Sequence, residues 1–202
     1  MLWWAYKAQF LGHIDERRRK GWNMDSEKML ERMAGFVVHT MHQIPQLSQL
    51  PVDELQEIPL GKLRRDATRL HAVCRYQKGV KKSEIAGPSD VRCVDVHPAA
   101  LTDDWQRYAA FLLYHEFLHA LGFAGHDKTF RNLEALWPDD DARNMGESFG
   151  NHLRKRAAKW LWVCPQCSKE HPRTRRGRGR YRCRECRTVL IDVRAEASGP
   201  NA

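Results

Sequence analysis

His115-Glu116-Phe117-Leu118-His119 is the stretch on which the reading of this chain turns. On a helix, residues four apart share a face, so His115 and His119 can offer two imidazole nitrogens to one metal ion. Glu116 is turned one position around the helix. From there a carboxylate reaches a metal-bound water without ligating the metal itself. The HExxH spacing therefore predicts a helix that carries a hydrolytic zinc site. A third ligand is still required, and His126 stands seven residues beyond His119.

The surroundings of the box supply a way to bring His126 in. Thr102 followed by Asp103-Asp104 predicts an N-cap and an acidic first turn. The helix it opens runs through Trp105, Tyr108 and Leu112 to about Leu121. A helix continued past Gly122 would carry His126 away, whereas a break at Gly122 and Gly125 lets the chain turn back. Three neutral imidazoles would leave zinc its full positive charge and an open position. Water there has a pKa of about 7, and Glu116 would take its proton and pass it to a leaving amine. Other assignments stay open. Asp127, Glu134 or His97 could replace His126 as third ligand, and the box histidines could be ordinary helix residues. Tyr114 and His97 are candidates for stabilising an oxyanion.

Upstream, apolar residues Trp3, Tyr6, Phe10 and Ile14 predict a helix over 3–20. Asp25 or Ser26 could cap a second helix with Met29, Leu30, Met33, Val37 and Met41 on one stripe. Pro45, Pro51 and Pro59 punctuate a connection that holds one short helix. Residues 69–76 and 91–96 alternate as strands do. After the box, Phe130, Leu133, Leu136 and Trp137 predict a short helix stopped by Pro138, and residues 147–161 another that is basic on one side. Cys74 and Cys93 fall in the two strands and read as buried thiols.

Cys164-Pro-Gln-Cys167 and Cys183-Arg-Glu-Cys186 are separated by 15 residues. Two CxxC pairs at this spacing place four thiolates around one structural zinc, and the ion supplies folding energy that so short a segment lacks. The residues between would form the hairpin of a zinc ribbon. Trp160 and Trp162 read as ribbon core, with base stacking as the alternative.

Charge separates the two parts of the chain. Residues 1–150 hold 20 Lys/Arg against 21 Asp/Glu, while residues 151–194 hold 14 against 3. The net +9 thus comes from the cysteine-bearing end, which points to a polyanion partner, with a solubilising tail as the bland alternative. Arg173, Arg175, Arg176, Arg178 and Arg180 interleave with glycines, and Tyr181 follows. Arginine forks suit phosphate oxygens and a tyrosine can stack on an unpaired base. Nothing resembles a base-reading helix, so contacts to a nucleic-acid backbone are expected rather than sequence readout. No apolar run is long enough to span a membrane, and the N-terminal Met1-Leu2-Trp3-Trp4 lacks a signal peptide's basic flank. These features predict a monomeric cytoplasmic protein, nucleoid-associated or nuclear, with reduced thiols.

Taken together, two strands, a capped helix with His115, Glu116 and His119, the pair Gly125-His126, and then Phe130 on a short helix resemble the SprT-like (Spartan-type) metalloproteases. With the cysteine module the resemblance covers roughly residues 60–190. It implies that His115, His119 and His126 bind a catalytic zinc, that Glu116 is the catalytic base, and that proteins on DNA are the substrates, as in the repair of DNA–protein crosslinks. A metzincin box, HExxHxxGxxH, starts the same way, but six residues rather than five separate His119 from His126. Met145 alone makes a weak Met-turn.

The expected architecture is α+β. An N-terminal helical region (1–60) would pack on a zincin-like metalloprotease domain (61–160) with a small antiparallel sheet. A four-cysteine ribbon (161–194) and a disordered tail (195–202) would follow. Two zinc ions per chain are expected, one catalytic and one structural. The competing readings are a transcription-associated nucleic-acid-binding ribbon protein with a vestigial protease site, and a peptidase of free peptides whose ribbon is only a fold staple.

Overall fold

A computed structural model describes residues 26–195. The helix expected over 3–20 lies outside them, as does the expected tail beyond Ala195. The described chain is mixed α and β and divides into two compact units. Residues 26–65 and 70–146 make the first; 66–69 and 147–195 belong to the second.

In the first unit, helix α1 (Ser26–His42) carries the predicted stripe. Leu30, Met33, Val37 and Met41 are all buried. Two short 3-10 turns follow, Pro45–Leu47 and Asp53–Glu57, in place of the one short helix expected. Strands β1 (Leu60–Lys62), β2 (Ala72–Tyr76) and β3 (Val91–Val96) form a sheet in the order β1-β3-β2. The expected antiparallel pair β2–β3 is present, with Cys74 opposite Val94. The sheet is nevertheless mixed, because β1 runs parallel to β3. At three residues β1 is too short to show alternation. Its Gly61 permits close pairing, since a Cβ there would stand 2.2 Å from the Asp95 carboxylate.

Helix α2 (Gln106–Ala120) packs against α1, β2 and β3 and is buried on nearly every side. That burial explains why it is apolar all round rather than amphipathic. Its start differs from the expected cap. Thr102 opens a 3-10 turn (Asp103–Trp105) without capping it, and its hydroxyl donates instead to the Ala99 carbonyl. Helix α3 (Lys128–Glu134) follows, with Phe130 fully buried. The five-residue helix α4 (Asp140–Asn144), too short to show a period in the sequence, is capped by Asp139, whose carboxylate accepts from the Ala142 N–H.

In the second unit, helix α5 (Gly146–Arg156) is shorter than the expected 147–161. Residues 160–163 leave the helix because Trp-Leu-Trp-Val, aromatic and β-branched, suits a pleated half-buried surface. They form β4 (Trp160–Val163), central strand of an antiparallel sheet ordered β5-β4-β6, with β5 (Glu170–Arg173) and β6 (Ile191–Arg194). Trp162, Cys164, Cys183 and Leu190 are its small core. A core of four residues is too small to stabilise such a module alone.

Candidate metal centres and nucleic-acid interface

The box histidines sit in the last turns of α2, and the chain reverses immediately after. Gly122 makes the reversal, with φ +98° and a Cβ position 3.2 Å from the Ile85 carbonyl oxygen. Only glycine enters this region without a steric penalty. Gly125 makes no such contribution, since its φ lies outside the left-handed region and a Cβ there would meet nothing within 4 Å. The turn brings His126 back onto His115 and His119. Its Nε2 lies 3.1 Å from His115 Nε2 and 3.2 Å from His119 Nε2. The Phe130 ring packs against all three imidazoles, with centroids 4.7–4.9 Å away.

The hydrogen bonds behind two of these rings fix what their Nε2 atoms can be. His119 Nδ1 lies 2.7 Å from the Phe123 carbonyl oxygen, which can only accept. Nδ1 therefore carries the proton, and Nε2 of neutral His119 presents a lone pair. His115 Nδ1 makes the same commitment to a Glu134 carboxylate oxygen at 2.7 Å. Burial, with further contributions from nearby charges, pushes the His119 pKa down to about 4 despite the Phe123 carbonyl, and burial also lowers that of His126. His126 Nε2, just over 3 Å from both, either donates a proton to one of these lone pairs or, in its other tautomer, presents a third to a shared cation. Tetrahedral zinc, with Zn–N of about 2.0–2.1 Å, sets its ligand nitrogens about 3.3 Å apart. The donor set and its spacing fit that ion, and exposed His126 leaves one side open to solvent.

The other candidate ligands are engaged elsewhere. Asp127 caps α3 by accepting from the Phe130 N–H at 2.9 Å. Buried His97 uses Nδ1 to accept from the Ala99 N–H. Glu134 stands behind His115 rather than beside the three Nε2 atoms, and its second oxygen accepts from Arg131 at 2.8 Å. Burial raises the Glu134 pKa, but the His115 and Arg131 hydrogen bonds outweigh it and hold the carboxyl down to about 2. Tyr114 is not placed as an oxyanion donor; it is fully buried and its hydroxyl donates to the Leu133 carbonyl.

Glu116 is buried, and one carboxylate oxygen accepts from the Cys74 backbone N–H at 2.7 Å. That bond anchors the side chain to β2, an edge strand. Burial raises its pKa, more than His115 and the Cys74 N–H lower it, which is the direction a general base needs to work near neutral pH. Spacing alone gives no sign of the Cys74 N–H or the Phe123 carbonyl, because backbone partners have no residue type. Cys74 is buried and Cys93 half-buried, and neither is disulfide-bonded. Burial pushes the Cys74 thiol up to about 12, so it stays protonated.

In the second unit, the two CxxC pairs form matching knuckles. The Ser168 N–H donates to the Cys164 carbonyl and the Arg187 N–H to the Cys183 carbonyl, at 2.9 and 3.0 Å. Ser168 and Arg187 both take left-handed backbone, φ 57° and 58°. The Cys164 and Cys183 N–H groups donate to the Lys169 and Thr188 carbonyls. The four sulfurs lie within 4.8 Å of one another, with Cys167 and Cys183 3.8 Å apart. Tetrahedral zinc with Zn–S of about 2.3 Å separates its sulfurs by about 3.8 Å. Backbone N–H groups of Cys186 and Glu185 bring the Cys183 thiol down to about 7. Cys164, Cys167, Cys183 and Cys186 thus form the zinc-binding site of the ribbon.

The five arginines of the arginine-glycine run are exposed, and all but Arg173 lie in the loop after β5 rather than on a hairpin strand. Asp192 orders this loop, accepting from the Gly177 and Arg178 N–H groups at 2.7 and 2.9 Å. Trp162 Nε1 donates to the Arg175 carbonyl. Trp162 is core, as expected, with Tyr181 stacked on it at 4.1 Å while 41% of Tyr181 remains exposed. Trp160 is only half-buried, and the guanidinium groups of Arg176 and Arg194 lie over it at 4.7 and 5.4 Å. Arg194 does not stand out in the sequence, because it lies beyond the arginine-glycine run. A cavity of about 470 Å³ opens between Trp160, Tyr181 and the arginine loop.

Residues 158–194 match the family model described as the SprT-like zinc ribbon domain. The match spans the four cysteines and the arginine loop, and it supports the SprT-like resemblance with a C-terminal zinc ribbon. Comparison with the curated proteins and with the solved structures finds no match.

Proposed function

We propose that this chain is a zinc-dependent metalloendopeptidase with a zincin-like catalytic unit, held on DNA by its ribbon and acting on proteins bound or crosslinked there. The convergence of three Nε2 atoms, with His126 within 3.2 Å of both His115 and His119, carries the reading. His115, His119 and His126 would hold the zinc, which would supply Lewis acidity and lower the pKa of the attacking water toward neutral. Glu116 has one oxygen fixed by the Cys74 N–H and the other available to take the proton of the attacking water. The same carboxyl then returns that proton to the leaving amine. Phe130 and the hydrogen bonds to Glu134 and the Phe123 carbonyl hold the imidazoles in place, so that little reorganisation accompanies loading.

For the ribbon, Arg173, Arg175, Arg176, Arg178 and Arg180 would meet phosphate oxygens, and Tyr181 would stack on an unpaired base. Such an interface favours backbone over sequence, which suits an enzyme that must act wherever a protein is trapped. Two resident zinc ions and unpaired thiols fit a compartment that keeps cysteines reduced.

A rival reading is a nucleic-acid-binding ribbon protein with a vestigial protease site, in which only the matched ribbon at residues 158–194 is active. A Glu116→Gln variant, assayed against a DNA-bound protein with zinc content measured in parallel, separates the two. The proposal expects unchanged zinc and a loss of cleavage of about 10²–10⁴-fold, the usual contribution of a general base. Equal cleavage by variant and wild type overturns the mechanism, and no cleavage by the zinc-loaded wild type favours the rival.

A further inference from the structure

We propose that Glu134, held by Arg131, is a positioning residue that sets the metal affinity of the three-histidine site; the inference rests on the zinc-site reading above. The three imidazoles are supported unequally. His119 leans on a neutral backbone carbonyl, that of Phe123. His115 leans on a carboxylate, Glu134 Oε1, at 2.7 Å. Among the described residues no hydrogen bond of this kind is found behind exposed His126, whose Nε2 faces the other two.

A carboxylate behind an imidazole does two things a carbonyl does less well. It fixes the tautomer that leaves Nε2 as the metal-facing lone pair, and it raises the basicity of that nitrogen. Glu134 is well placed for both. It is largely buried, at 11% side-chain exposure, so its charge is weakly screened. Its other oxygen accepts from Arg131 Nη1 at 2.8 Å, one turn back on α3, which fixes the carboxylate plane relative to the His115 ring. The same short helix carries Phe130, which packs on all three imidazoles. Helix α3, capped by Asp127, thus holds the site from behind through one ring and one carboxylate.

Glutamate is itself a common zinc ligand, and at this distance beyond HExxH a sequence reading offers it as one. Its hydrogen bond to Nδ1, on the far side of the imidazole from Nε2, assigns it to the layer behind the ligands instead. A ligand and a positioning residue respond differently to substitution. Removing a ligand changes the coordination sphere and its spectrum. Removing the group behind a ligand weakens binding and leaves the sphere's composition as it was.

The test loads the full chain with cobalt(II) in place of zinc and titrates it against a chelator. The four-thiolate ribbon gives intense sulfur-to-cobalt charge-transfer bands, and the histidine site gives only weak visible bands, so the two are followed separately in one sample. Glu134→Ala is expected to weaken the histidine site by about 10–100-fold with its band positions unchanged. Glu134→Gln, which keeps an acceptor for His115 Nδ1, is expected to lose less, and Arg131→Ala least. The ribbon bands serve as the internal reference and should not move. Unaltered affinity in both Glu134 variants, with correctly folded protein by circular dichroism, overturns the inference. A changed histidine-site spectrum in Glu134→Gln overturns it in favour of direct ligation. A wild-type chain that takes up cobalt only at the ribbon sinks the zinc-site reading itself, a result distinct from either.

Discussion

The four-cysteine zinc site and the candidate three-histidine site are built on opposite plans. At the ribbon, each half of the site is a local repeat: CxxC, a left-handed residue, and backbone N–H groups turned inward, made twice within a few residues. At the box, two ligands come from a buried helix, one from beyond a glycine turn, and the supporting groups from three other places in the chain. The contrast teaches where each site's stability comes from. The ribbon's own core is four buried residues, two of them ligands, so metal and fold are one equilibrium. The first unit has an extensive core of its own, including Met33, Val37, Leu113, Phe117 and Phe130, so its fold does not depend on a metal for its apolar burial.

The largest effect expected from that contrast is at the ribbon. Cys183→Ser should unfold residues 158–194 while leaving the first unit intact. Structural zinc in such modules contributes apparent energies of about 10–16 kcal/mol, far more than this core can replace. Near-ultraviolet circular dichroism, reporting on Trp160 and Trp162, alongside thermal melting of the first unit, checks it. Coupled loss of both units would break the comparison. The corresponding loss of one histidine ligand should cost metal at the box without melting α2.

A smaller effect sharpens the account of the box. Gly122→Ala places a Cβ in left-handed backbone and 3.2 Å from the Ile85 carbonyl, and should destabilise by about 1–2 kcal/mol. It should also weaken the histidine site, since the Phe123 carbonyl behind His119 rides on the same turn. Gly125→Ala should be nearly silent on both counts, because it has neither the φ nor the crowding. Chemical denaturation of the two variants side by side distinguishes them.

The ribbon is legible in the sequence almost completely, because its information is local. Four cysteines at fixed spacing determine ligands, metal and fold together. The box is half legible. His115, Glu116 and His119 declare a helix face, and His126 follows once a chain reversal is supposed. The groups that hold those side chains are not legible. The Cys74 N–H reaches Glu116 from 42 residues away, and Glu134 reaches His115 across 19. Strand β1 is too brief to register, and β4 reads as helix because the basic pattern of α5 runs straight into Trp160. Both are decided by pairing with distant strands, which periodicity in one segment does not contain.

A further effect expected is a pH dependence of the metal-free first unit. His119 has its pKa lowered from 6.5 to about 4, so the native state resists a proton that the unfolded chain takes up. Stability should fall as pH drops from about 6.5 toward 4. Glu134, lowered from 4.5 to about 2, adds stability that is present above 4.5 and lost as pH falls toward 2. Denaturant midpoints of the chelated protein across pH 7 to 3 should show the histidine slope first. Glu116, raised by burial, works in the opposite direction, so the slope is read in a Glu116→Gln background, where a flat profile between 6.5 and 4 would mean that His119 is not held neutral by its surroundings.

The central claim, that three histidines and four cysteines make two independent metal centres in one chain, is tested most directly by counting zinc. Elemental mass spectrometry of the purified full chain should give two ions per molecule. His119→Ala should give one with the ribbon still folded, and Cys183→Ser one with the first unit still folded. A wild-type count of one that vanishes with Cys183→Ser would contradict the account, leaving the HExxH helix with no metal and no chemistry.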